Sequence, residues 1–225
     1  MQPEDLSFRD RADAGRQLAQ RLMGYAVQNP VVMALPRGGV PVAFEVANAL
    51  RAPLDLIVVR KIGAPGQAEF GLGAVVDGAH PQVVLNEETL GHPKVPPGYI
   101  EEEAQRQLRE IECRRMHCLT GRRPVDVKGR VAIVVDDGIA TGGTVRAALK
   151  GVSQAHPARL ILAVPVAPTD AIDRLRTEAD EVICLMTPER FYAVGEYYDD
   201  LRQTSDREVT TLLDEAQRWN RQDGP

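Results

Sequence analysis

Residues 131–144 read VAIVVDDGIATGGT, an unbroken apolar run closed by two carboxylates and followed by a loop of small residues. An apolar run without alternation marks a strand covered on both faces, as in a parallel sheet. The loop passes from Gly138 through Ala140, Thr141, Gly142 and Gly143 to Thr144, where the next helical stretch opens. Backbone N–H groups in such a turn, joined to a helix N-terminus, form a cradle for an anion, and Thr141 and Thr144 add hydroxyl donors. Asp136 and Asp137 would repel a phosphate, so their natural partners are donors such as the vicinal hydroxyls of a sugar. A sugar phosphate lying across the turn satisfies both halves. The dinucleotide pattern G-x-G-x-x-G and the nucleotide pattern G-x-x-x-x-G-K-[ST] are both absent here. Two readings compete: a metal held by the paired acids without a sugar, and a plain tight turn with solvated aspartates, which leaves the two threonines unexplained.

Working outward, similar short apolar runs occur at 31–35, 54–59, 160–166 and 182–185, with helical stretches at 40–50, 144–155 and 169–179 between several of them. An N-terminal helix over 10–23 places Ala14, Leu18 and Leu22 on one face. This succession predicts an α/β fold, a doubly wound and mainly parallel sheet flanked by helices, with ligands beyond the C-terminal strand ends. The whole chain, 1–225, reads as a single domain with a core over about 30–200. Residues 62–88 are glycine-rich and then give two strand-like runs around Asp77-Gly78, which reads as a flexible loop leading into a β-hairpin. Residues 98–119 read as an inserted, charged helix, solvated or facing a second subunit, and 201–225 as a tail carrying a helix.

Composition narrows the function classes. Of 225 residues, 44% are hydrophobic and 26% charged, ordinary for a globular protein. A net charge of −5 speaks against nucleic acid as the main partner while leaving room for a locally basic pocket. No stretch approaches the apolar length of a membrane span, and the start, MQPEDLSFRD, is polar and acidic. With three cysteines and no disulfide framework, the expected setting is the reducing cytoplasm. Cys113, His117 and Cys118 lie close on one predicted helix; without a second cluster they read as ordinary helix residues rather than a closed metal site.

The segment VVDDGIATGGT resembles the signature of the type I phosphoribosyltransferases, an apolar run, then D/E-D, variable positions and T-G-x-T, and is most similar to the form in adenine-type enzymes. Two further motifs follow the same resemblance, each after a predicted strand. Leu35-Pro36-Arg37-Gly38-Gly39 is similar to the family's pyrophosphate loop, and Arg60-Lys61-Ile62-Gly63 to the R-K-x-G that precedes its flexible catalytic loop. The C-terminal TPERFYAVGEYYDD is similar to segments of uncharacterised bacterial members.

The resemblance implies Mg²⁺-dependent transfer of a 5-phosphoribosyl group from phosphoribosyl pyrophosphate to a nitrogen heterocycle, with release of pyrophosphate. It also implies a small hood over the base, a homodimer and a place in nucleotide salvage. The 5-phosphate would sit on Gly138, Ala140, Thr141, Gly142, Gly143 and Thr144, and the ribose hydroxyls on Asp136 and Asp137, which would meet magnesium through water. Pyrophosphate would lie on Pro36, Arg37, Gly38, Gly39, Arg60 and Lys61, with a non-proline cis peptide implied at Pro36–Arg37. Ala140 stands where 6-oxopurine enzymes carry an acid, so that proton-handling group is missing; Glu69 in the loop is the candidate substitute. Val166, Ala167, Phe191 and Tyr192 are the candidates for the base site. The alternative is a regulatory protein that binds phosphoribosyl pyrophosphate with little or no catalysis.

Overall fold

The computed structural model describes residues 7–78, 81–85, 95–118 and 124–222; within these spans the side chains at 67–70, 113–118 and 220–222 lie outside the description. Along the chain the elements are α1 (Arg11–Leu22), β1 (Pro30–Ala34), α2 (Gly39–Leu50), β2 (Leu54–Leu56), β3 (Val59–Ala64), β4 (Gln67–Val76) and β5 (Gln82–Leu85). There follow α3 (Tyr99–Cys118), β6 (Val131–Val135), α4 (Gly143–Ser153), β7 (Arg159–Val166), α5 (Thr169–Leu175), β8 (Glu181–Met186) and α6 (Asp206–Gln222).

Five strands form one sheet in the order β2-β1-β6-β7-β8, and every neighbouring pair is parallel. β1 leads outward to β2 on one side, whereas β6 leads to β7 and β8 on the other. The winding therefore reverses between β1 and β6, and at such a switch point an open α/β sheet leaves a crevice beyond its strand ends. Both strands are buried at every position. Alternate residues feed opposite faces: Val32, Ala34, Ile133 and Val135 pack with α1, α2 and α6, while Val31, Met33, Ala132 and Val134 pack with α4 and α5. The uninterrupted apolar runs follow from this double coverage.

The apolar run at 54–59 is divided between two sheets. After β2 the chain leaves the parallel sheet: Val58 N donates to Asp77 Oδ1, and Asp77 N donates to Val58 O. Beyond this clasp, the segment expected to be a flexible loop begins as strand. β3 and β4 pair antiparallel on either side of Pro65-Gly66, and β5 returns along β4 after Asp77-Gly78. Of the glycines that suggested a loop, Gly63 and its partner Gly71 sit at register shifts, between Ile62 and Gly63 and between Gly63 and Ala64, where an irregular ladder tolerates them, and Gly66 lies in the turn. This small sheet is covered on both sides. Val76 and Val84 pack with Val145, Ala148 and Leu149 of α4, and Ile62, Leu72 and Val75 pack with Ala104 and Ile111 of α3. The charged helix predicted at 98–119 thus uses an apolar stripe to close the small sheet.

Candidate active site

Two loops leave the sheet at the switch point. Leu35 N donates to Val135 O at 2.9 Å, tying the end of β1 to the end of β6. The Pro36–Arg37 peptide that follows is cis. Gly38 has ordinary helical angles, φ −61° and ψ −38°, so its requirement is one of space. A Cβ there would fall 2.1 Å from Asp137 Oδ2, and one on Gly39 would fall 2.8 Å from Val135 O. The Pro36–Gly39 turn therefore rests directly against the acid pair.

Asp136 and Asp137 are half-buried just past the end of β6. Asp137 N donates to Asp136 Oδ1 at 2.9 Å. Burial, and then the charge of Asp137, push the Asp136 carboxyl well above the ordinary carboxylate range. Asp137 Oδ2 accepts from Arg11 Nε and lies 2.8 Å from Arg11 Nη2. Its backbone carbonyl accepts from Tyr198 Oη at 2.6 Å, and burial pushes that phenol up.

The cradle is moored from below. Ile139 N donates to Val166 O at 2.9 Å, and Ile139 and Gly142 are buried while Ala140, Thr141, Gly143 and Thr144 face outward. Gly142 takes φ +80°, a left-handed conformation natural to glycine, and Arg146 N closes the first turn of α4 on its carbonyl at 2.8 Å. The first N–H groups of a helix have no partner within it, so this exposed face has donors to offer an anion.

A cavity of about 390 Å³ opens beside the acid pair, lined by Arg11, Arg37, Gly38, Asp137, Thr204 and Asp206 with Leu56 and Val58 beneath. Arg37 Nη1 stands 3.6 Å from Asp206 Oδ1. Lys61 lies elsewhere, in a second cavity of about 270 Å³ between the small sheet and α4, with Gly73, Thr144 and Lys150. Arg60 Nε is buried without a hydrogen-bond partner among the described residues. The cations grouped by motif are therefore divided: Arg37 borders the first cavity and Lys61 the flank of the cradle.

Of the base-site candidates, Val166 and Ala167 present no surface: both are fully buried, Val166 among Phe8, Ala14 and Tyr198 and Ala167 in the cluster with α4 and α5. Phe191 stacks on Tyr197, ring centres 5.6 Å apart, which commits its face to the protein. Tyr192, 78% exposed, is the one of the four with a free ring. Glu69 lies in β4, and its side chain falls outside the described residues, as do those of Cys113, His117 and Cys118.

Sequence reasoning missed Arg11, Thr204 and Asp206, and the hydrogen bond of Tyr198 to the Asp137 carbonyl. These arrive because the two ends of the domain meet: Phe8 bridges Tyr198 in parallel fashion, and Asp199 N donates to Phe8 O at 2.9 Å. One signal was present. Arg11 falls on the same helical face as Ala14, Leu18 and Leu22, and a charge on a buried stripe asks for a partner.

Residues 8–200 match the phosphoribosyl transferase domain family, and the chain belongs to it. Two Mycobacterium tuberculosis proteins, from strains CDC 1551 / Oshkosh and H37Rv and both named "Putative phosphoribosyl transferase", are each 48% identical over 213 residues, 94% of this chain and 47% of theirs. The chain thus spans about half the length of these curated relatives. The crystal structure of TT1426 from Thermus thermophilus is 44% identical and superposes with a TM-score of 0.81, covering 93% of this chain and 98% of that one. The five-stranded parallel sheet with its flanking helices is thus that of a phosphoribosyltransferase fold.

Proposed function

We propose that this domain transfers the 5-phosphoribosyl group of phosphoribosyl pyrophosphate to a ring nitrogen of a nucleobase-like acceptor, releasing pyrophosphate. The observation that carries this reading is the contact of the Pro36–Gly39 turn with Asp137, beside an outward-facing cradle on α4. One ligand bearing a phosphate, a diol and a diphosphate spans these features in order.

Each residue then has a task. The cradle from Gly138 to Thr144 holds the 5-phosphate. Asp136 and Asp137 accept from the ribose hydroxyls and set negative potential beneath a ring that gains positive charge as its C1–oxygen bond breaks. Arg37 and the Pro36–Gly39 turn receive the departing diphosphate. Lys61 borders the cradle flank, where it would add positive charge near the 5-phosphate.

Magnesium is proposed as the cofactor, supplying charge neutralisation at the diphosphate. The residues fit an ion carried in by the substrate. Two hard carboxylates stand at the site, while no group of three or more metal-binding side chains occurs among the described residues. Asp136 and Asp137 would reach it through water.

The acceptor side is less furnished. Ala140 supplies no acid, which argues against the proton handling of 6-oxopurine enzymes, and Tyr192 offers a face for stacking. We place the reaction in nucleotide salvage in the cytoplasm, by a homodimer; among the described residues no helix is long and apolar enough to cross a membrane. The test is incubation with Mg²⁺, phosphoribosyl pyrophosphate and a panel of nucleobases, following pyrophosphate and nucleotide. Turnover with one base supports the transferase; tight binding with no turnover across the panel favours the regulatory alternative.

A further inference from the structure

We propose that Arg11 is a diphosphate-contacting residue of this site, supplied by α1 from outside every motif. The inference rests on the phosphoribosyl reading above. Asp137 Oδ2 has two neighbours: Arg11 Nη2 at 2.8 Å, and the Gly38 backbone, whose absent Cβ would lie 2.1 Å away. A single carboxylate oxygen therefore separates the Arg11 guanidinium from the turn proposed to receive the diphosphate. Arg11 and Arg37 line the same cavity.

Arg11 is already ordered. Its Nη1 donates to Arg202 O at 2.6 Å, and its side chain is 13% exposed, so little rotamer freedom remains to be lost on binding. Without ligand its charge is spent on Asp137. A diphosphate carries more charge than a carboxylate and matches the guanidinium fork. As the sugar diphosphate arrives, the guanidinium turns to it, and Asp137 Oδ2 is released to accept from a ribose hydroxyl. The ion pair thus keeps both groups in place until the ligand separates them.

Calorimetric titration of the full chain with two probes tests this: inorganic pyrophosphate with Mg²⁺, and ribose 5-phosphate. Arg11→Gln should weaken pyrophosphate binding by about tenfold or more. It should leave ribose 5-phosphate within about threefold of native. Arg11→Lys, which keeps the charge but not the fork, should fall between. Thermal melts establish that each variant is folded. Equal losses for both probes would reduce Arg11 to a positioning role on Asp137, and native pyrophosphate affinity in the variants would remove it from the site; either overturns the proposal. Should Arg11→Gln not fold, native-like pyrophosphate affinity in Arg11→Lys is sufficient to overturn it. A native protein that binds neither probe would instead sink the phosphoribosyl reading, and this inference with it.

Discussion

Gly38 and Asp137 occupy space that one methyl group would fill: a Cβ on Gly38 would stand 2.1 Å from Asp137 Oδ2. The backbone of Gly38 is in the right-handed helical region, so alanine costs nothing in conformation. Gly38→Ala should therefore act by displacing the Asp137 carboxylate from the turn and from Arg11. The expected outcome is a loss of phosphoribosyl pyrophosphate affinity of about tenfold or more, measured by calorimetry. Unchanged affinity would mean that the contact between turn and acid is not part of the binding site.

Asp136 carries a stability signature that can be read against pH. In the folded protein its carboxyl is raised, first by burial and then by Asp137, so the folded state holds this proton more tightly than the unfolded chain does. Stability from this group is present at acid pH and is lost as pH rises through the folded-state value. Asp136→Asn removes the titration. Its stability relative to native should increase as pH rises above about 4, the ordinary carboxylate range, while phosphoribosyl pyrophosphate binding falls. Denaturant midpoints over that rise in pH check the first outcome; a difference that does not vary with pH contradicts it.

Asp206 neighbours Arg37, the cation proposed to receive the diphosphate. It lies 3.6 Å from Arg37, with side-chain exposures of 60% and 36%, so the pair is weak and solvated. Asp206→Asn should change stability by less than about 1 kcal/mol. It should tighten pyrophosphate binding at low ionic strength, because Arg37 loses a neighbouring negative charge. Weaker binding would show that Asp206 contributes to the site directly.

Gly151 tests the docking of the small sheet rather than the site. A Cβ there would meet the side chain of Val76 at 2.6 Å. Glycine to alanine within a helix ordinarily stabilises by about 1 kcal/mol. Here the branched Val76 has no room to withdraw, so Gly151→Ala should destabilise by about 1–3 kcal/mol through overpacking. Val76→Ala in the same chain should restore part of that loss, which a double-mutant cycle measures.

Much of the frame was legible because its causes are local. An apolar run such as 131–135 states that both faces are covered, and small residues after Asp136-Asp137 state that a turn must open before α4. Elsewhere a local signal was not enough. Glycines in 62–73 read as a flexible loop, whereas pairing of β4 with β3 and β5 and packing against α4 and α3 make the segment strand. Val166 and Ala167 were rightly placed at the end of a strand, but their burial is decided by distant partners: Phe8, Ala14 and Tyr198 cover the first, and the cluster with α4 and α5 covers the second.

Sequence by itself therefore determined the strands of the parallel sheet, the acid pair, the small-residue loop after it and the turn at Pro36–Gly39, since each depends on periodicity or on residues adjacent in the chain. Tertiary structure alone decided that Arg11 meets Asp137 across 126 positions, that Arg37 faces Asp206, and that Lys61 serves a different cavity. The first two pairings follow from the reversal of winding between β1 and β6 and from the bridge between the segments at Phe8 and Tyr198, and the third from the departure of β3 into the small sheet. A charge has no period, and its partner is set by where packing carries it.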